Sequence, residues 1–178
     1  RVIQNDCLPE HTAQRMTRQL LLGLQYLHEH VCICHNGVHP SNILLQGDNV
    51  MLADFGAAVD RVHYRPSLSD SKVPQVASSS SSSSSSQYRA PERSKQVLAT
   101  PASDMWSLGV VVYFMLLGHM SSSPQELVRG IQWNEDAQFA NLSRIAKQFV
   151  SNLIHMDPSV RMTASEALRH PWIAVLDH

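Results

Sequence analysis

From Thr12 to His30 the apolar residues Ala13, Met16, Leu20, Leu24 and Leu27 recur at steps of three and four. That spacing predicts one face of an amphipathic helix, and its plain role is core packing. Two short apolar runs follow, Ile43 to Leu45 and Val50 to Ala53, and the turn-forming Gly47-Asp48-Asn49 between them predicts a small hairpin. Residues 57–89 hold no sustained period and contain nine consecutive serines, Ser78 to Ser86. A serine run has no apolar surface to offset its ordering entropy, so residues 67–87 are expected to form a mobile insert. Helical patterns then dominate. Pro101 suits the first turn of a helix that passes through Trp106 and Val110 and stops at Gly118. Ser123-Pro124-Gln125-Glu126 has capping-box spacing ahead of Leu127, Val128 and Ile131. Leu142, Ile145, Phe149 and Leu153, flanked by Ala146 and Val150, form a third stripe that Asp157-Pro158 ends. Thr163-Ala164-Ser165-Glu166 caps a last helix that stops near Pro171. The pattern is mainly α, with one small β-hairpin, one long loop and no internal repeat.

The 178 residues amount to one domain or part of one. Apolar residues at 43% exclude a wholly disordered chain, while the charged fraction of 16% is low. A net charge of −1 lacks the basic footprint of a nucleic-acid binder, so no nucleic-acid partner is expected. The ten His are spread without metal-ligand spacing. Cys7 stands alone and Cys32-Ile33-Cys34 leaves one residue between thiols, which suits neither a disulfide framework nor a zinc site. A reducing, intracellular compartment, cytoplasmic or nuclear, is expected. The longest apolar run, Leu108 to Leu117, is half of a bilayer span, so it should be a buried core helix and no membrane association is expected. No signal peptide opens the chain, and Arg1 stands where a translated protein would have Met, so a fragment is expected.

Asp54-Phe55-Gly56 directly after a short apolar strand is weak alone, but its surroundings are specific. Asn42 lies twelve residues earlier, within His35-Asn36-Gly37-Val38-His39-Pro40-Ser41-Asn42-Ile43-Leu44-Leu45, and Ala90-Pro91-Glu92 follows downstream. In this order the segments resemble the catalytic loop, metal-binding turn and Ala-Pro-Glu segment of eukaryotic protein kinases. Ser103-Asp104-Met105-Trp106-Ser107-Leu108-Gly109 resembles that family's central helix. Asp157-Pro158-Ser159-Val160-Arg161 and His170-Pro171-Trp172 resemble its closing helices, in a form most similar to the calmodulin-dependent group of serine/threonine kinases. The resemblance covers essentially all of residues 1–178 and implies a protein-kinase-like C-lobe with a long activation-type loop.

It also implies what is absent or altered. No Gly-x-Gly-x-x-Gly occurs, and the N-lobe that holds ATP would precede Arg1. Gly37 occupies the position of the catalytic Asp, Asn36 that of the preceding Arg, and His39 that of the Lys on the transferring phosphate. No catalytic residue is therefore expected. Asn42 and Asp54 match the family's Mg²⁺ ligands, oxygen donors that suit this hard cation, and Leu44 matches the residue packed under adenine. His35 and Phe55 match a stacked pair that Asp104 would anchor, and Glu92 matches a carboxylate paired with a buried Arg, here Arg161. Ser85 aligns with the small hydroxyl residue before Ala-Pro-Glu, while Ser41 and Phe114 stand where basophilic kinases carry glutamates.

Mg·ATP is expected to bind, if at all, only in a longer form, and no cofactor is expected for this chain alone. The leading expectation is a pseudokinase that acts through a protein partner. The alternatives are an active serine/threonine kinase whose N-lobe lies outside this chain, and a non-functional fragment of a decayed gene. With no second lobe to cover them, Leu44, Leu52 and Phe55 should lie at an open face available to a partner or to self-association.

Overall fold

The computed structural model describes residues 7–60, 85–95, 99–120, 123–133, 139 and 141–175. Helix α1 spans Glu10–Gln25 and buries Ala13, Thr17, Leu20, Leu21 and Leu24, the face that the apolar spacing marks. Its continuation is not α-helical as expected: Tyr26–Val31 form a π-helical turn, closed by Cys32 in the left-handed conformation at φ +60°. That reversal sends the chain into β1 (Ile33–Cys34). After a 3₁₀ turn at Pro40–Asn42, β2 (Ile43–Gln46) and β3 (Asn49–Leu52) pair antiparallel, with Leu44 opposite Met51. Gly47 takes φ +60° in the tight turn between them, where a side chain would be strained.

Beside the expected hairpin stands a second two-stranded ladder that the sequence pattern did not show. Strand β4 (Val59–Asp60) pairs antiparallel with β1, Cys34 opposite Val59. Two residues a side hold no readable period, which is why the sequence pattern missed the pair. Most of the expected mobile insert, residues 67–84, lies outside the described residues; Ser85 to Gln87 belong to a 3₁₀ helix, Ser85–Tyr88, which a second one, Pro91–Lys95, soon follows.

Helix α2 (Pro101–Leu117) is the axis of the core, with thirteen residues buried, as an apolar run with no polar stripe requires. Thr100 and Ser103 cap its start reciprocally, at 3.2 and 3.0 Å, and Gly118 ends it at φ +72°. Helices α3 (Pro124–Trp133), α4 (Arg144–Leu153), α5 (Ala164–Arg169) and α6 (Pro171–Ala174) complete the order. Thr163 and Glu166 form the capping box foreseen for α5. Helix α1 packs on α2, α5, α6 and β3, and α4 packs on α2. Gly109 allows the last approach, since a Cβ there would meet Ile154 Cγ1 and Leu153 Cβ at 2.8 Å. At the far end of the bundle Glu10 accepts from Trp172 Nε1 at 2.9 Å and from the Ser143 hydroxyl, while Gln14 donates to the Trp172 carbonyl at 2.7 Å. Among the described residues no helix is long and apolar enough to cross a membrane.

Candidate functional site

The site is built around Asp104, one turn into α2 and 1% exposed. Its Oδ1 accepts the Asn36 backbone N–H at 2.8 Å; its Oδ2 accepts the His35 backbone N–H at 2.8 Å and faces His28 Nε2 at 2.9 Å. A buried carboxylate is tolerated only when its lone pairs are filled, and here three donors and the positive end of a helix surround it. The π-helical turn is what carries His28 to this point. One carboxylate thus holds the backbone of the loop that follows β1.

On that anchored loop the His35 ring lies 4.8 Å from the Phe55 ring, centroid to centroid, and tilted by 56°. Asp104, His35 and Phe55 thus form one connected unit. Burial lowers the His35 pKa against the opposing pull of Asp104, so the ring is neutral at neutral pH. Phe55 itself is 48% exposed on its outer side.

Gly37 presents no side chain to a reacting group. A Cβ there would meet Asn42 Nδ2 at 3.2 Å and His35 Nδ1 at 3.5 Å, so the position is lined by polar nitrogen atoms and has little spare room. Asn42 Nδ2 donates to the Gly37 carbonyl at 3.0 Å and faces His39 Nε2 at 3.2 Å. An amide N–H only donates, so Nε2 accepts and the imidazole proton sits on Nδ1. Burial lowers the His39 pKa, the neighbouring His35 lowers it further, and Asp54 opposes both. At neutral pH His39 therefore carries no positive charge to replace that of a Lys.

Asp54 is exposed and left-handed at φ +63°, with Oδ1 accepting the Gly56 N–H at 3.1 Å in a local turn. These bonds occupy Asn42 through its nitrogen and Asp54 through one oxygen. The remaining Asn42 Oδ1 and Asp54 Oδ2 are the hard oxygen donors that Mg²⁺ takes, so the pair fits the metal that the resemblance implies, as a two-ligand set needing further oxygens from water or phosphate. Leu44 stands on β2, 51% exposed and outside the buried core, whereas Leu52, expected at the same open face, is half-buried and packed against the core.

Glu92 and Arg161 meet as a bidentate pair, Nη1 to Oε1 at 2.7 Å and Nη2 to Oε2 at 2.8 Å. Burial pushes the Glu92 carboxyl up, but the Arg161 hydrogen bonds, a backbone hydrogen bond and the charges of Arg161 and Arg93 together outweigh it and leave the pKa below the ordinary value. Arg161 also donates from Nε to the His155 carbonyl and from Nη1 to the Ala102 carbonyl, and its guanidinium lies 4.9 Å above the Trp106 ring. The 3₁₀ helix that starts at Pro91 is thereby fastened to the helical core.

Two contributors lay beyond sequence reasoning. His28 sits in a stretch that reads as plain amphipathic helix, and Arg93 in a polar loop carries no pattern at all. Arg93 Nη2 donates to Asn36 Oδ1 at 3.1 Å, and Asn36 Nδ2 donates to the Ala57 carbonyl at 3.0 Å. Beside the site, Leu44, Leu45, Met51 and Phe55 are large apolar residues left exposed on the hairpin and the turn after it. A cleft of about 300 Å³ lies between α1 and the hairpin, lined by Leu8, Met16, Leu45 and Val50 among others, and it includes none of the residues expected to bind nucleotide.

Residues 1–173 match the protein kinase domain family. Human serine/threonine-protein kinase H1 is 30% identical over 184 aligned positions, covering 97% of this chain and 41% of that protein. The chain thus spans about two fifths of the length of such relatives. Among solved structures, the Rad53 kinase domain and SCD2 in complex with AMPPNP is 27% identical with a TM-score of 0.67, covering 95% of this chain and 61% of the other. The twitchin kinase region of C. elegans is 27% identical with a TM-score of 0.72, covering 96% and 30%. With the family's model matched over nearly the whole length, this chain belongs to the protein kinase domain family, with serine/threonine kinases among its relatives.

Proposed function

We propose that this chain is a kinase C-lobe of serine/threonine type that does not transfer phosphate and works by binding a protein partner. The observation that carries the reading is at Gly37, where a proton acceptor would act. The nearest groups there are the Asn42 amide and the neutral His35 ring, and the amide nitrogen is committed to the Gly37 carbonyl. A general base contributes typically 10²- to 10⁴-fold, and phosphoryl transfer otherwise depends on placed charge. With Gly37 in place of the base and a neutral His39 in place of the Lys, both contributions are lost. The open apolar face at Leu44, Met51 and Phe55 supports protein binding as the remaining role.

One observation favours a second reading, an active kinase whose N-lobe lies outside this chain. Asn42 and Asp54 keep oxygen donors suited to Mg²⁺, as a nucleotide-binding lobe would need. The two readings separate in one experiment on the longest natural form of the protein, incubated with labelled ATP, Mg²⁺ and a generic protein substrate. No transfer above background is expected, with Asp54→Ala indistinguishable from the parent. Transfer that Asp54→Ala abolishes overturns the proposal.

A further inference from the structure

Asn36 stands at a crossing of three chain segments. Its backbone N–H is held by Asp104 at 2.8 Å, its side-chain Nδ2 donates to the Ala57 carbonyl just beyond Asp54-Phe55-Gly56, and its Oδ1 accepts from Arg93 just beyond Ala90-Pro91-Glu92. A carbonyl can only accept and a guanidinium can only donate, so the two partners fix which way the amide points. Asn36 adopts φ +58°, a conformation that Asn tolerates better than most residues with a side chain.

The two partners are not equivalent places. Ala57 lies two residues before β4, and Arg93 lies in the 3₁₀ helix Pro91–Lys95. Only one short side chain offers a donor and an acceptor on the same rigid plane at this length, and that is Asn. Asp keeps the acceptor for Arg93 but sets a carboxylate against the Ala57 carbonyl. Arg loses the acceptor and sets a second guanidinium against Arg93.

We propose that Asn36 is a positioning residue that clasps the turn after Asp54-Phe55-Gly56 to the turn after Ala90-Pro91-Glu92, so that both flanks of residues 61–84 are held on one loop without any phosphate. The clasp works by hydrogen bonds of ordinary length between neutral amide, carbonyl and guanidinium, and phosphorylation of the serine run has no part in it. It does not depend on whether the protein transfers phosphate.

The test is hydrogen exchange of phosphatase-treated protein, followed peptide by peptide. Asn36→Gly is the leading variant because it keeps the left-handed backbone and removes only the amide. Exchange is expected to rise at least tenfold in residues 55–60 and in residues 85–95 together, while α2 is unchanged. Asn36→Asp, which retains the Arg93 bond, should loosen residues 55–60 only. Arg93→Ala, which leaves the bond from Asn36 to Ala57 in place, should loosen residues 85–95 and leave residues 55–60 unchanged. The clasp is overturned if Asn36→Gly loosens only residues 35–38, if the rise is spread evenly through the protein, or if the wild type tightens at both flanks when its serines are phosphorylated.

Discussion

Replacing Arg161 with Ala removes the partner of Glu92 from a place that solvent barely reaches. Arg161 is 5% exposed as a residue, and its side chain forms a two-bond fork to Glu92, single bonds to the His155 and Ala102 carbonyls, and a face contact with Trp106. Truncation leaves the carboxylate and two carbonyls without these donors and opens a gap over the indole. Breaking a buried pair by removing one partner costs about 3–5 kcal/mol. For a chain of this size about 1 kcal/mol lowers Tm by 2–4 °C, so Arg161→Ala should lower it by about 6–20 °C. Arg161→Lys, which restores charge but not the fork, should fall between wild type and Ala. Arg169, exposed in the last turn of α5, is the control, and Arg169→Ala should stay within about 0.5 kcal/mol of wild type. Urea unfolding followed by tryptophan fluorescence reads both, since Trp106 sits under the guanidinium. Equal effects of Arg161→Ala and Arg169→Ala, each under about 1 kcal/mol, would refute the reasoning.

Two glycines on α-helices should respond with opposite sign. Gly109→Ala drives a methyl into Leu153 and Ile154 and should cost about 1–3 kcal/mol, whereas Gly23→Ala, exposed on α1 with its nearest neighbour at 3.9 Å, should gain about 0.5–1 kcal/mol; chemical denaturation measures each. Acid should destabilise the protein in two stages. His35, His39 and His170 all have pKa values lowered by burial, so the unfolded chain takes up these protons first and stability falls as pH drops below about 6.5. Glu92, lowered on balance by Arg161 against the effect of burial, adds a second loss as pH falls below about 4.5; a Tm that stays flat from pH 7.5 to 5.5 contradicts the first stage. Alone in solution the chain should self-associate through its open hairpin face, and Leu44→Asp or Phe55→Asp should shift sedimentation toward monomer; a wild-type monomer at tens of micromolar disproves this.

Where an element is long and one face of it is apolar, its position could be read from residue spacing. The stripe from Ala13 to Leu24, the cap at Thr163 and the stop at Gly118 all belong to that kind, because burial and capping act over residues close in sequence. The site residues were legible for another reason: Asp54-Phe55-Gly56, Ala90-Pro91-Glu92 and Asp104 stand in a recognisable order. What stayed hidden depends on partners far apart with no period. The β1–β4 ladder joins residues 33–34 to 59–60 through only two positions on each side. The bond from Arg93 to Asn36 spans 57 residues, and neither side chain announces the other. His28 owes its role to a π-helical turn that shifts its ring by a fraction of a helical step, which spacing rules built on 3.6 residues do not foresee.

The bonds from Glu10 and Gln14 to Trp172 bear on how the chain is made. They join residues 162 and 158 positions apart, and α1 rests on α5 and α6, which are made long after it. Contacts of such long sequence separation form slowly, because the intervening loop must close before they contribute. At a synthesis rate of about 5–20 residues per second, the apolar stripe of α1 waits roughly ten seconds or more for the helices that cover it. During that interval only β3 and then α2 can reach the greasy ridge, and the part that α5 and α6 cover stays open. A ribosome-associated chaperone that holds short amphipathic helices would find its substrate there, and truncations that stop before Pro171 should remain bound to it.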